Sequence, residues 1–438
     1  MSKVTKRANR NKVTTWALWD WASAAFNAVV TTFVFSVYIS NADLFGDDAN
    51  TNLGYTMTAA GIFVAIIAPV VGQSVDRSGK RQKLIFVTTL ITILATGGLA
   101  LVRPDESYLW LGLLLLAVGN IAFETGSVVY NAILADISTP KTIGRISGLG
   151  WGLGYVGGIV LMLILYVGLI GPEVGWFGVT SDDGMNIRVS MIFCAIWTLV
   201  FSLPLMLTAS DTPPKTTEKV GVIGSYKALF ASIRHLWKKD RSLVWFLGSS
   251  ALFRDGLAGV FAYGGVLAAA AFGFTSDEVL VFGIVANLVA GIATISFGYL
   301  DDRVGARPLI LFSLGSMLVL GTIIFILHDA GQMVFWICGL LLCVFVGPTQ
   351  SSSRTYLARI IPPGEEGEVF GLYATTGRAV SFLSPFMYST AITLGATLTG
   401  SSKEAAAHFG ILGIVLVLLS GFITFFFVRP NEVSNTEK

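Results

Sequence analysis

The sequence predicts an all-α membrane protein of twelve transmembrane helices, arranged as two pseudo-symmetric six-helix bundles. Three observations carry that expectation. Apolar residues make up 54% of the 438 residues and charged residues only 13%, against roughly 25% charged in an ordinary globular chain. Twelve apolar runs are long enough for the about 20 residues that a helix needs to cross a bilayer. A ten-residue loop motif also occurs twice, about half a chain apart.

The runs are 16–40, 53–75, 84–102, 108–134, 146–170, 188–209, 242–272, 277–300, 308–328, 332–357, 368–394 and 405–428. The seventh is long and is interrupted by the charged pair Arg254-Asp255. Lys3, Lys6, Arg7, Arg10 and Lys12 precede the first run, which is too long for a signal-peptide core and reads as a retained membrane helix. Cys194, Cys338 and Cys343 all lie inside apolar runs and read as small buried apolar residues, not as a disulfide framework or metal motif.

The loop motif is Gly72-Gln73-Ser74-Val75-Asp76-Arg77-Ser78-Gly79-Lys80-Arg81. It returns as Gly298-Tyr299-Leu300-Asp301-Asp302-Arg303-Val304-Gly305-Ala306-Arg307, offset by 226 residues. Tyr130 and Tyr356 share that offset, as do Glu124 and Gln350. Asp20 and Phe26 in the first run match Asp255 and Phe261 in the seventh, at an offset of 235 that a longer first outer loop explains. Six helices per half is an even number, so both halves enter the membrane the same way, as a parallel repeat.

Orientation follows from the loop cations. With a cytoplasmic N-terminus, the inner side carries 23 of the 29 Lys and Arg, the outer side Arg103, Arg188 and Lys403, and the helices the remaining three. Both termini and both copies of the motif are therefore expected in the cytoplasm. The absence of a targeting segment fits a bacterial plasma (inner) membrane. The long inner loop 210–241 opens with Asp211-Thr212-Pro213-Pro214, which stops a helix. Tyr226, Leu229, Phe230, Ile233, Leu236 and Trp237 then recur at helical spacing among Lys227, Arg234, Lys238 and Lys239, the pattern of an amphipathic helix lying on the inner leaflet. The loop divides the chain into residues 1–209, a linker 210–241 and residues 242–438.

The 6+6 plan with paired Gly-x3-Asp-Arg-x-Gly-x-Arg loops resembles the major facilitator superfamily, over nearly the whole chain. A narrower resemblance lies in the polar segments. Trp19-Asp20-Trp21-Ala22-Ser23-Ala24-Ala25-Phe26 is similar to the first helix of the vacuole-effluxer-like family, with Ala24 where that family usually has Ser. Arg254-Asp255-Gly256 with Phe261-Ala262-Tyr263-Gly264-Gly265 is similar to its seventh helix. Gln350-Ser351-Ser352-Ser353-Arg354-Thr355-Tyr356 through Pro363-Gly364, followed by Glu368-Val369-Phe370-Gly371-Leu372-Tyr373, resembles its tenth helix and the loop beyond. That family includes fungal vacuolar amino-acid effluxers and many bacterial relatives.

A charge inside a bilayer costs roughly 2.5–3.5 kcal/mol on insertion scales, so its position is informative. Asp20, Glu124, Arg254, Asp255, Arg354 and Arg378 lie well inside the predicted helices, on the first, fourth, seventh, tenth and eleventh. The resemblance implies that the first, fourth, seventh and tenth helices line a central cavity. Asp20 and Asn27 share a helix face, and Asn120, Glu124, Ser127 and Asn131 form one stripe. Gln350 and Arg354 are one turn apart at the repeat-equivalent place. Carboxylates and guanidiniums on facing helices suit a small zwitterion or anion. Asp20, Asn27, Asn120, Glu124, Asn131, Arg254, Asp255, Gln350, Arg354 and Arg378 are the expected substrate-binding residues. A second reading has Asp20, Arg254, Asp255 and Arg354 forming interhelical ion pairs that hold or gate the bundle. Glu124 is a candidate proton carrier.

The loop motif has a different expected job. Gly72, Gly79, Gly298 and Gly305 permit close approach and tight turns. The resemblance implies that Asp76 sits by a helix N-terminus of the other half, where the dipole favours an anion. It also implies that Arg77 and Arg81 pair with acids on neighbouring helices, Asp136 being the local candidate. Asp76, Arg77, Lys80, Arg81 and Asp136, with Asp302, Arg303 and Arg307 in the second copy, are thus expected to gate. The glycines at 148, 150, 152, 154, 157 and 158 read as a close helix crossing.

The chain has no Walker loop, and its three histidines lie in loops or at helix ends. Neither an ATP-driven pump nor an enzyme is expected, and no cofactor or nucleic acid. The expected partners are a small-molecule substrate, the bilayer and a proton as candidate coupling ion, for a monomer. The expected function is secondary transport of a small polar solute by alternating access, and the family resemblance points to amino-acid efflux. The alternatives are a drug/metabolite–proton antiporter, whose cavity should be more apolar, and a non-transporting receptor or scaffold.

Overall fold

The computed structural model describes residues 3–213, 234, 241–362, 364–402 and 405–428. Twelve helices among them are long and apolar enough to cross a membrane. They are α1 (Asn11–Ile39), α2 (Thr51–Ser78), α3 (Arg81–Leu101), α4 (Glu106–Ile137), α5 (Ile143–Ile170), α6 (Asp182–Thr208), α7 (Arg241–Phe272), α8 (Val281–Val304), α9 (Ala306–Ile326), α10 (Gln332–Ile360), α11 (Glu366–Thr399) and α12 (Ala407–Phe425). The described residues contain no strand. The amphipathic helix expected at Tyr226–Trp237 lies outside the described residues, apart from Arg234.

The duplication is visible in the packing. In the first half α1 packs on α6, α2 on α4, and α3 on both α4 and α6. In the second half α7 packs on α12, α8 on α10, and α9 on both α10 and α12. Each pair recurs with its helix numbers raised by six. Large apolar side chains such as Leu94, Trp110 and Phe312 remain exposed on the helices, as suits surfaces that a bilayer covers.

The chain forms two compact units that exchange short segments. One holds Met1–Ile137, Leu153–Lys219 and Gly364–Gly371. The other holds Ser138–Gly152, Val220–Pro363 and Leu372–Lys438. The start of α11 thus belongs with the first unit and the start of α5 with the second.

Local helix geometry differs from what the apolar runs suggest. The pair Arg254-Asp255 does not interrupt α7, which runs as one helix from Arg241 to Phe272. α11, by contrast, is broken. Its pieces, Glu366–Val380 and Leu383–Thr399, are separated by a turn at Ser381 and Phe382. Pro385 is the physical reason: its ring clashes with the carbonyl four residues back, at Ser381, and it brings no N–H. α1 widens to a π-helix over Ala25–Phe33, a local distortion that often marks functional positions.

Candidate functional site

The turn between α2 and α3 is built on two glycines. Gly79 ends α2 at φ 68°, in the left-handed region, and a Cβ there would lie 1.9 Å from the carbonyl oxygen of Thr212. Gly72 faces the first turn of α11, and a Cβ on it would lie 2.0 Å from the Gly367 carbonyl oxygen. Backbone meets backbone at that crossing, so no side chain fits. One turn further along α2, Asp76 accepts the N–H of Gly367 at 2.9 Å and that of Glu368 at 2.8 Å. These donors have no intrahelical partner, and the helix dipole adds to the attraction. Gln73 Nε2 donates to Glu368 Oε1 at 2.9 Å.

Arg81, the first residue of α3, is buried at 2% exposure. Its Nη1 is paired with Asp136 of α4. Its Nη2 lies 3.1 Å from Glu366 and 3.6 Å from Asp76. Three carboxylates thus surround one guanidinium, which compensates its removal from water. Arg77 and Lys80 stand in no ion pair among the described residues.

The second copy uses the same backbone device. Asp302 of α8 accepts the N–H of Gly144 at 2.7 Å and that of Arg145 at 3.2 Å, in the first turn of α5. A Cβ on Gly148 would lie 2.6 Å from the Thr294 carbonyl oxygen, and one on Gly298 2.8 Å from that of Gly144. The first glycines of α5 therefore serve its crossing with α8. The ion pairs differ between the copies. Asp301, buried at 1% exposure, pairs with Arg359 of α10 at 2.6 Å. Arg307, the counterpart of Arg81, instead donates its Nε–H to the Val428 carbonyl at 3.0 Å. Gly305 takes φ 92°, and Arg303 is exposed with no ion pair among the described residues.

The intramembrane residues fall into local sets. In the first unit the Tyr130 hydroxyl donates to Asp20 at 2.7 Å, tying α4 to α1. The Tyr130 ring is stacked on both Trp16 and Trp19, with centroids 4.4 Å away in each case. Phe123 and Phe26 continue the aromatic ladder. Asn120 is buried with its Nδ2 unpartnered among the described residues, while Glu124 and Asn131 are half-buried. Asn27 is exposed within the π-helix, its carbonyl accepting the hydroxyls of Thr31 and Thr32.

In the second unit Arg254 and Asp255 are directed at α11. The guanidinium of Arg254 lies over the Tyr373 ring at 3.8 Å and donates to the Tyr373 carbonyl at 3.0 Å. Asp255, buried at 6% exposure, accepts the N–H of Ser384 at 2.6 Å, and its carbonyl accepts the Ser384 hydroxyl. Ser384 lies in the first turn of the second piece of α11, so Asp255 caps the piece that begins at Leu383. Arg354, 4% exposed, donates to the hydroxyl and carbonyl of Ser147 on α5, at 3.0 and 2.8 Å. Gln350 and Arg378 are half-buried on α10 and α11.

Asp20 thus meets α4, Arg254 and Asp255 meet α11, and Arg354 meets α5. Sequence reasoning passed over Gln73, Ser147, Asp211, Asp301, Arg359, Glu366, Glu368 and Ser384. Some left a signal: Glu366 and Glu368 are acids in the first turn after a Pro-Pro-Gly stop, and Pro385 marks the break. Ser147 and Ser384 left none, because a serine in an apolar helix has many possible partners.

Twelve spanning helices in two repeats, with an acid-capped helix start in each, define the class: a transporter of the major facilitator fold. Solved structures share that architecture. The fucose transporter FucP in its outward conformation superposes with a TM-score of 0.73 at 12% identity, covering 96% of this chain and 98% of that one. The proton:xylose symporter XylE gives 0.72 at 15% identity over 96% of each chain. A bacterial homologue of the iron transporter ferroportin gives 0.69 at 14% identity, over 96% of this chain and 98% of that one. Likeness at such identities shows the fold.

The chain belongs to the family described as "Vacuole effluxer Atg22 like", whose sequence profile matches residues 53–432. The uncharacterized MFS-type transporter YxiO of Bacillus subtilis is 26% identical over 99% of this chain and 97% of its own length. Autophagy-related protein 22 of Kluyveromyces lactis is 23% identical over 76% of this chain and 72% of its own. The match to Autophagy-related protein 22-1 of Aspergillus fumigatus is 25% identical and spans 47% of that longer protein. The protein is thus an integral membrane member of an MFS-type transporter family.

Proposed function

We propose that the protein is a secondary active transporter that moves a small polar solute by alternating access, with its basic loops and both termini in the cytoplasm. Amino-acid efflux is the reading to test first. The pair of acid-capped helix starts carries the proposal: Asp76 at α11 and Asp302 at α5. Contacts made through a few directed hydrogen bonds can form and break as units, which is what a two-state gate requires. Asp76, Arg81, Asp136, Asp302 and their glycines form the gate. Asp20 and Glu124 in the first unit, and Gln350 and Arg378 in the second, are the polar intramembrane residues assigned to the solute. A merely structural protein would need neither two acid-capped gates nor charged side chains inside its spans.

Proton coupling belongs to the same proposal, with Glu124 as carrier. The test is uptake of a labelled amino-acid panel by proteoliposomes, with and without a pH gradient. Flux of at least one amino acid supports the reading, whereas no flux of any solute under either condition favours a scaffold. Glu124→Gln with an unchanged pH dependence of flux would remove Glu124 from the coupling role.

A further inference from the structure

The third and fourth residues beyond α6, Asp211 and Thr212, hold the gate turn in place. α3 begins without a cap of its own, since Lys80 precedes it and offers no side-chain bond. Its N-terminal donor is satisfied from elsewhere. Asp211 Oδ1 accepts the N–H of Gln82, the second residue of the helix, at 2.9 Å. The adjoining Thr212 N–H donates to the Gly79 carbonyl at 2.9 Å. Gln82 completes the stitch, its Nε2 donating to the Leu207 carbonyl at 2.6 Å. The segment leaving α6 is thus sewn to both sides of the turn that ends at Arg81. Gly79 has a second constraint here, because its missing Cβ is the space that the Thr212 carbonyl occupies.

The second repeat does the same with other atoms. α9 also starts without a side-chain cap, at Gly305. The segment leaving α12 supplies the Val428 carbonyl to Arg307 Nε in that turn. Two turns with the same sequence pattern are each tied to the segment that leaves the last helix of their own half. A contact that recurs with different chemistry points to a role that the fold requires.

We infer that Asp211 is a positioning residue for the α2–α3 gate, acting through α3 on Arg81. The inference rests on the reading of Asp76 and Arg81 as gate residues. Arg81 is the first residue of α3, so the rotation and height of that helix start decide whether its guanidinium reaches Asp136 and Glu366. Asp211 holds that start by a helix cap, a job that Asn or Ser does about as well and Ala does not. Asp211, Thr212 and the gate turn then move as one piece.

Hydrogen–deuterium exchange on the full chain in nanodiscs tests this, read at Gln82–Leu84 beside the cap and at Gly367–Glu368, whose N–H groups Asp76 holds. Asp211→Ala should speed exchange at both places, roughly threefold to fivefold from the loss of an exposed cap. In proteoliposomes it should change the maximal flux more than the half-saturating solute concentration, whichever solute proves to be carried. Asp211→Asn should restore both readouts. Faster exchange confined to Gln82–Leu84 would overturn the inference, because the cap would then be local. Failure of Asp211→Asn to rescue would overturn it too, because charge and not capping would then matter. Asp76→Asn serves as the control for the underlying gate reading. If it leaves exchange at Gly367–Glu368 unchanged, the gate reading fails independently of Asp211.

Discussion

Asp76 and Asp302, 226 residues apart in one chain, each accept two backbone N–H groups from the first turn of a helix remote in sequence. Asp76 takes Gly367 and Glu368, and Asp302 takes Gly144 and Arg145. The repeat is therefore one of physical contacts as well as of letters. The basic residues do not follow it: Arg81 is buried among three acids, while Arg307 meets only a carbonyl among the described contacts.

Asp76→Asn keeps one acceptor oxygen and loses the charge. A hydrogen bond to a charged group contributes about 1.5–3 kcal/mol, so the balance of gate states should shift on the order of tens-fold. Flux and conformational balance should change more than the affinity measured in one locked state. A large loss of affinity with unchanged balance would place Asp76 in the wrong role.

Arg81→Gln leaves Asp76, Asp136 and Glu366 without their shared cation. Breaking a buried pair typically costs about 3–5 kcal/mol, and Asp136 is partly exposed, at 38%, which puts the expected loss near the lower bound. Arg81→Lys, a point charge without the fork, should fall between the two. Unfolding temperature in detergent measures the order. Equal stability for all three proteins would refute the account of the cluster.

Gly72→Ala places a methyl group against the backbone of Gly367, where neither partner is a flexible side chain. The crossing should separate and the Asp76 bonds should weaken, seen as faster amide exchange at Gly367 and Glu368. Gly61→Ala, on the same helix with nothing within 4 Å of its Cβ, should be neutral or stabilising by about 0.5–1 kcal/mol. A Gly72→Ala variant as protected as wild type would mean that the crossing is looser than drawn.

Asp255→Ala removes the cap from the second piece of α11 and should cost about 1–2 kcal/mol. Asp255→Asn should recover most of it, because the amide oxygen can accept the same N–H of Ser384. Stability measured for the pair decides between capping and charge. An Asn variant as weak as Ala would show that Asp255 acts through its charge instead.

Some of the site was legible in the chain and some was not. The value of Asp20, Arg254, Asp255 and Arg354 as signposts was legible, because a charge in an apolar run is conspicuous. Their partners were not. Asp255 binds the Ser384 N–H, available where α11 breaks, and Arg254 binds the Tyr373 carbonyl within its first piece, and backbone groups have no letter of their own. Arg354 finds Ser147, one of many serines in apolar surroundings. Gln73, Glu366, Arg359 and Asp211 stood in or beside conspicuous motifs yet were given no role, since their partners lie far away in sequence.

The sequence by itself determined the class of fold, the twelve spans and the duplication. These depend on hydropathy, helix length and spacing, which are properties of a single dimension. Only the tertiary structure decided where each acid goes: Asp76 to Gly367 and Glu368, Asp302 to Gly144 and Arg145, Asp211 to Gln82, Asp255 to Ser384. The physical reason is common to all four. Every helix start carries unpaired N–H donors whatever its residues are, so any of them could have received a carboxylate, and which one does so depends on how the helices cross.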